Sequence, residues 1–157
     1  MPNENLRKNK RGVYSGKYHV KNLQKYIGPV NPISFRSMWE RQAFKWCEEN
    51  ADIVKWSSES VVIPYLCETD QNWHEYYVDL FIEFSNGRRL LVEIKPKKET
   101  VEPKKGRKSD ARFLEESLTY KKNTSKWKFA RNFAKQYNMR FEIWTEDDLR
   151  DMGMKIL

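Results

Sequence analysis

The sequence predicts an α/β domain, a mixed sheet flanked by helices, in the order helix, three or four strands, helix, strand, helix. Three observations carry this. Residues 76–96 read YYVDLFIEFSNGRRLLVEIKP, two alternating apolar runs joined at Asn86-Gly87, the pattern of a β-hairpin. Upstream, residues 37–50 place apolar side chains at helical spacing. Downstream, a second helical pattern runs over 124–137 and is followed by a strand pattern at Arg140–Trp144. At 157 residues the chain is long enough for one domain with a real core.

Taken in order, residues 1–17 are polar and basic (Arg7, Lys8, Lys10, Arg11) without periodicity. They predict a flexible basic arm ahead of a single domain over 18–157. Such an arm either touches DNA or is a solvated terminus. Residues 18–35 carry Gly28, Pro29 and Pro32 among aromatics, the composition of an irregular wrap. Over 37–50, Trp39, Ala43, Trp46 and Cys47 fall at i, i+4, i+7 and i+8, one apolar stripe. Ser37 followed by Glu40 is a capping-box signature. Strands are expected over 54–58 and 61–66, the second at an edge or bulge because of Pro64, with a turn over 67–72.

The hairpin over 74–95 places Tyr76, Val78, Leu80, Ile82 and Phe84 on one face of its first strand. Leu90, Val92 and Ile94 share one face of the second. A two-residue loop would set Leu80 against Glu93 and break the apolar face. A three-residue loop, Ser85-Asn86-Gly87 with Gly87 left-handed, pairs Ile82 with Leu90, Leu80 with Val92 and Val78 with Ile94; hydrophobic matching selects it. Asp79 then faces Glu93, with Lys95 two residues on. Opposed Cβ atoms stand roughly 4.5–5.5 Å apart, within reach of one shared cation. Two carboxylates this close in a half-buried sheet repel each other without one, which marks a metal site. The plainer reading of the same residues is a half-exposed hairpin with a surface salt bridge.

Residues 96–108, PKKETVEPKKGRK, form a basic surface loop that leaves the acidic strand directly, with Lys97, Lys98, Lys104 and Lys105 placed to hold phosphates. A short helix is expected over 110–118. A longer one over 124–137 faces the core with Trp127, Ala130, Phe133, Ala134 and Tyr137, and presents Lys126, Lys128, Arg131 and Lys135 outward. Asn138 is the expected C-cap. Thr145 starts a terminal helix with Asp148 at the capping-box position.

The formal net charge of +8 implies a polyanionic partner, most simply nucleic acid. No apolar run reaches membrane-spanning length and no signal peptide is expected. Cys47 and Cys67, with only two histidines, make neither a disulfide scaffold nor a zinc site; both read as core filler in a reducing compartment.

An acid on the first helix, an Asp on one strand and Glu-x-Lys on the next resemble the restriction-endonuclease-like PD-(D/E)xK arrangement, an αβββαβ core. Glu40, Asp79, Glu93 and Lys95 carry that likeness, and Val78 stands where the motif usually has Pro. Further, YSGKY at 14–18, RSMWE at 36–40, VKWSSESVVIPY at 54–65, YYVDLFIEF at 76–84, LVEIKPKKE at 91–99 and SKWKFARNFA at 125–134 resemble the head completion nucleases of large contractile-tailed phages. These are related to the TnsA endonuclease of bacterial transposons. TnsA proteins have Gln where this chain has Glu93, and a further domain.

The resemblance implies a Mg²⁺-dependent DNA endonuclease, with Mn²⁺ substituting, that acts on the packaged DNA end before the tail joins. Asp79, Glu93 and the backbone carbonyl of Ile94 would ligate the ion, Lys95 would serve the attacking water, and Glu40 would hold an outer water or a second cation. Lys97, Lys98, Lys104, Lys105, Lys126 and Arg131 would grip the backbone of double-stranded DNA with weak sequence preference. Portal or head-neck proteins would be partners, and the host cytoplasm and the virion head or neck the location. Two other readings are a virion DNA clamp in which cleavage is incidental, and a junction-resolving or repair nuclease of the same fold. Glu40 keeps its purely structural reading as a capping residue beside the metal one.

Overall fold

The computed structural model describes residues 6–8, 14–29 and 32–156. In chain order, the short strands β1 (Arg7–Lys8), β2 (Tyr14–Tyr18) and β3 (Ile33–Phe35) precede helix α1 (Met38–Glu49). Strands β4 (Ile53–Ser58), β5 (Val62–Leu66), β6 (Trp73–Tyr77), β7 (Leu80–Phe84) and β8 (Arg89–Ile94) follow. Helix α2 (Asp110–Gln136), strand β9 (Arg140–Trp144) and helix α3 (Glu146–Asp151) complete the chain.

The central sheet has the order β4-β7-β8-β9. Its first three strands pair antiparallel, and β9 lies parallel to β8, as the long return through α2 allows. Leu80, Ile82, Leu90 and Val92 point into one core with Ala43, Phe44 and Cys47 of α1 and Leu149 of α3. Leu91 points into a second core with Ala130 and Ala134 of α2 and with Ile63, Tyr65, Tyr76 and Val78. A sheet buried on both faces explains why LFIEF and RLLVEI read as nearly continuous apolar runs. It also fixes the side of the acids: Glu93 and Lys95 share the parity of Leu91, so they face α2.

The hairpin register is the expected one for two of the three pairs, and Val78 does not pair with Ile94. Leu80 pairs with Val92 and Ile82 with Leu90, and Gly87 turns the three-residue loop at φ +86. The first strand, however, is not continuous. It breaks at Val78-Asp79: β6 pairs with β5 in a separate two-stranded ribbon, and β7 enters the central sheet. The break reverses the pleat, so Tyr76 and Val78 leave the face of Leu80 and Ile82 and join the α2 core. Pro64 sits in the ribbon opposite Glu75. Among the described residues β5 pairs with β6 alone, and the Pro64 nitrogen faces the unpaired side, so the missing amide costs no ladder bond.

Helix α1 starts where expected: Ser37 Oγ accepts from the Glu40 amide at 3.2 Å. Its inner stripe differs in detail, with Phe44 buried and Trp39 and Trp46 half-buried. The two helices expected over 110–118 and 124–137 are one helix of 27 residues. No Gly or Pro interrupts the segment, and a run of polar residues does not by itself stop a helix. Tyr137, expected in the core, is exposed because it caps the helix. Asn138 follows in the left-handed conformation at φ +54, and the Met139 amide bonds back to the Ala134 carbonyl at 2.7 Å. The Thr145 amide donates to Asp148 Oδ2 at 2.8 Å, as the capping pattern required.

The arm expected over 1–17 falls partly outside the described residues. Tyr14–Lys17 correct its boundary, since they belong to β2, and Tyr18 at its end is 5% exposed. The wrap over 18–35 likewise contains a strand: β3 pairs with β2, Tyr18 opposite Ile33. Alternate burial of Tyr18 and Phe35 against Trp56 supplies the apolar packing that sequence composition concealed.

Candidate active site

The site forms where β8 ends and the chain crosses from ribbon to sheet. Asp79 sits at that crossing, and its Oδ2 accepts from the Ile94 amide at 2.7 Å. Glu93, 7% exposed, lies on the α2 side of β8. Its Oε2 accepts from the Tyr76 hydroxyl, and its Oε1 stands 3.6 Å from Lys95 Nζ. Glu40, in the first turn of α1, accepts from the Arg36 amide at 3.1 Å. The capping bond therefore returns to the residue before Ser37, not to Ser37. Arg36 in turn pairs with Glu59 at 2.8 Å.

The acids are crowded. Burial holds the Asp79 carboxyl well above the usual carboxylate range, and Glu93 and Glu40 push it further, against the Ile94 amide and Lys95. Burial also raises Glu40, opposed by the Arg36 amide and charge and reinforced by Glu59 and Glu93. The Tyr76 phenol is raised by burial and by Glu93, so it stays a donor. Three carboxylates with all-oxygen donor chemistry and a surplus of negative charge fit a hard divalent cation such as Mg²⁺. Asp79 and Glu93 are the residues that could hold it, and Glu40 acts on Asp79 through its charge.

A second lysine enters the site. Lys126, expected on the outer basic face of its helix, is instead half-buried, with Nζ 5.4 Å from the Tyr76 ring centroid and 6.0 Å from that of Tyr65. Burial lowers its pKa, and the charges of Glu93 and Asp79 work against that. The signal was in the spacing: Lys126, Ala130 and Ala134 recur at i, i+4 and i+8, the inner stripe. Tyr76 was missed for a different reason, because only the strand break turns its hydroxyl toward Glu93.

The basic loop is less free than its composition suggests. Lys97 pairs with Asp147 at 3.0 Å, and its amide bonds to Glu146. Lys105 pairs with Asp110 at 3.2 Å. Lys98 and Lys104 make no ion pair among the described residues. They flank a groove of about 870 Å³ between the loop and α2, into which Lys108, Arg112 and Asn123 also face. Arg131 lies outside the acid cluster, its guanidinium 5.9 Å from the Phe141 ring centroid. Ile94 enters the site through its amide.

Comparison with known proteins bears on most of the chain. The family model "TnsA-like endonuclease N terminal" matches residues 50–146, a span that holds Asp79, Glu93, Lys95 and Lys126 but not Glu40. The head completion nuclease of Enterobacteria phage T4 is 41% identical over 147 residues, covering 91% of this chain and 98% of the relative. The α1-β4-β7-β8-α2-β9 core, with β5–β6 as an inserted ribbon, is the restriction-endonuclease-like arrangement. The chain belongs to the head completion nucleases, a group within the TnsA-like endonuclease family.

Proposed function

We propose that this protein is a Mg²⁺-dependent endonuclease that hydrolyses phosphodiester bonds of double-stranded DNA as a phage head is completed, before the tail joins. Portal or neck proteins would be its partners, in the host cytoplasm and then in the virion. The observation that supports the chemistry is Asp79, held by the Ile94 amide, at the end of the strand that carries Glu93 and leads into Lys95, with the half-buried Lys126 over Tyr76.

Asp79 and Glu93 would hold the ion, the Ile94 carbonyl would complete the protein ligands, and Glu40 would hold an outer water or a second cation. When bound, Mg²⁺ supplies Lewis-acid polarisation of the scissile phosphate and a water of lowered pKa. The chain's own residues set the geometry. The Ile94 amide fixes the Asp79 carboxylate, and the Tyr76 hydroxyl fixes that of Glu93. Lys95 orients the attacking water and offsets charge growing on the phosphate oxygens. Lys126, partly removed from water, attracts a phosphate more strongly than a solvated lysine would. Lys98 and Lys104 would follow the DNA backbone beyond the cut, and binding through the backbone carries little sequence preference.

A plasmid-nicking assay tests this. Cleavage should require Mg²⁺ or Mn²⁺ and stop with chelator. Asp79→Ala and Lys95→Ala should each abolish it while melting stays within a few degrees of wild type. Lys126→Met should slow it about ten-fold, on the order of 1.4 kcal/mol of barrier, with partial recovery in Lys126→Arg. Activity of Asp79→Ala within a few-fold of wild type overturns the assignment.

A further inference from the structure

We propose that the turn joining β5 and β6, with the start of β6, is a zinc site with the Cys67 thiolate, the Asp70 carboxylate and the His74 imidazole as ligands, although the cysteine and histidine count alone gave no zinc site and read Cys67 as core filler. It lies apart from the acid cluster and does not depend on the nuclease reading. One donor atom from each residue falls within 4.8 Å of the other two. The turn is built to hold them. The Cys67 amide donates to the Asn72 carbonyl and the Gln71 amide to the Cys67 carbonyl, both at 2.9 Å, with Gln71 left-handed at φ +58. Asp70 Oδ1 accepts from the Asn72 amide at 2.9 Å, which leaves Oδ2 facing His74 Nε2 at 2.6 Å. The His74 ring packs on Tyr65, centroids 5.7 Å apart. The Thr69 hydroxyl is 3.1 Å from Cys67 Sγ.

The donor set selects the metal. One thiolate, one imidazole and one carboxylate suit Zn²⁺, whereas Mg²⁺ takes oxygen ligands alone. Tetrahedral zinc, with bonds of about 2.0–2.3 Å, asks for donor separations of roughly 3.3–3.8 Å. The exposed side chains of Asp70 and His74 can adjust to this by rotation, while Cys67, 1% exposed, supplies the fixed inner ligand. Water would take the fourth position on the open side. On binding, the Cys67 thiol proton leaves to solvent and the neutral imidazole keeps its single proton on Nδ1, freeing Nε2; affinity therefore falls with acidification.

The site also reaches the nuclease centre through protein. The Glu68 amide donates to Ser125 Oγ at 3.2 Å, one residue before Lys126, and Lys126 Nζ stands over the same Tyr65 that packs on His74. An ion at the turn would fasten the ribbon against α2, behind the lysine.

The test is direct metal binding to the full chain, purified through chelator and titrated with Zn²⁺ or Co²⁺. The expected result is one equivalent of zinc retained through gel filtration, and a thiolate-to-cobalt charge-transfer band with Co²⁺. Both should persist in Asp79→Ala, which excludes the acid cluster as their source. Cys67→Ser should remove the band. His74→Ala, an exposed change that spares folding, should weaken zinc binding at least ten-fold. Absence of the band, or zinc binding unchanged in His74→Ala, overturns the proposal. So does a melting shift in His74→Ala that is the same with and without zinc, since that is the behaviour of a plain Asp70–His74 pair.

Discussion

Among the described residues Asp79 accepts one backbone hydrogen bond, in a site where burial and two other acids oppose its charge. A carboxyl whose folded pKa is raised binds its proton more tightly in the native state than in the unfolded one. Its contribution favours folding below the usual carboxylate range and is lost as pH rises through the raised value. At neutral pH and without divalent cation, ionised Asp79 is therefore a cost. Asp79→Asn keeps an oxygen for the Ile94 amide and removes the charge. It should melt a few degrees above wild type at pH 8, where ~1 kcal/mol is worth about 2–4 °C, and the gap should close on acidification. Mg²⁺ should raise the melting temperature of wild type and not of the variant. Equal melting of the two across this range in differential scanning calorimetry would contradict the crowding. At this scale the pairing of Leu80 with Val92 was legible from hydrophobic matching and put Asp79, Glu93 and Lys95 near one another, while Glu40 entered through the resemblance and its capping pattern. Tyr76 needed three dimensions, through a break in a strand, whereas the spacing of Lys126 with Ala130 and Ala134 already held the inner stripe that the outward reading overlooked.

Among the elements, the start of α1 carries two roles that a pair of substitutions separates. Ser37 caps the helix through its side chain, while Glu40 reaches back to the Arg36 amide and also faces the acid cluster. Ser37→Ala should cost about 1 kcal/mol of stability and leave cleavage largely intact. Glu40→Gln keeps the hydrogen bond to Arg36 and should melt near wild type, yet cut ten-fold or more slowly, on the order of 1.4 kcal/mol of barrier. Wild-type cleavage rates for Glu40→Gln at limiting Mg²⁺ would leave it a purely structural residue. Elements with a single period were readable from sequence. Hydrophobic matching set the β7–β8 register, and the caps of α1 and α3 followed from their side chains. What escaped were features set by distant parts of the chain. The strand break at Val78-Asp79 exists because β6 finds β5 while β7 finds β4 and β8. Of the short strands before α1, β2 and β3 pair with each other and bury Tyr18 and Phe35.

For the molecule as a whole, the charge of +8 becomes useful only where it is not already neutralised internally. Lys97 and Lys105 are paired with acids, whereas among the described residues Lys98 and Lys104 are not. In Ca²⁺, DNA affinity should fall steeply with salt, and reversing Lys98 and Lys104 together should reduce the magnitude of the log–log slope by about 1.8, roughly 0.9 for each phosphate left without its lysine. The same reversal at Lys97 and Lys105 should change it less. Filter binding across a salt series decides this, and equal effects of the two pairs would remove the distinction. The crossing at Asp79 has one more consequence, in the domain of time. The Ile94 amide is bonded to a carboxylate, while its neighbour, the Lys95 amide, is bonded to the Trp144 carbonyl at 3.0 Å. Hydrogen exchange at these adjacent positions therefore answers to different clocks: the first to whatever happens at the acid site, the second to the opening of the sheet. In Asp79→Ala the Ile94 amide should exchange faster while that of Lys95 keeps its rate, so one backbone proton can time events at the acid cluster from within the intact fold.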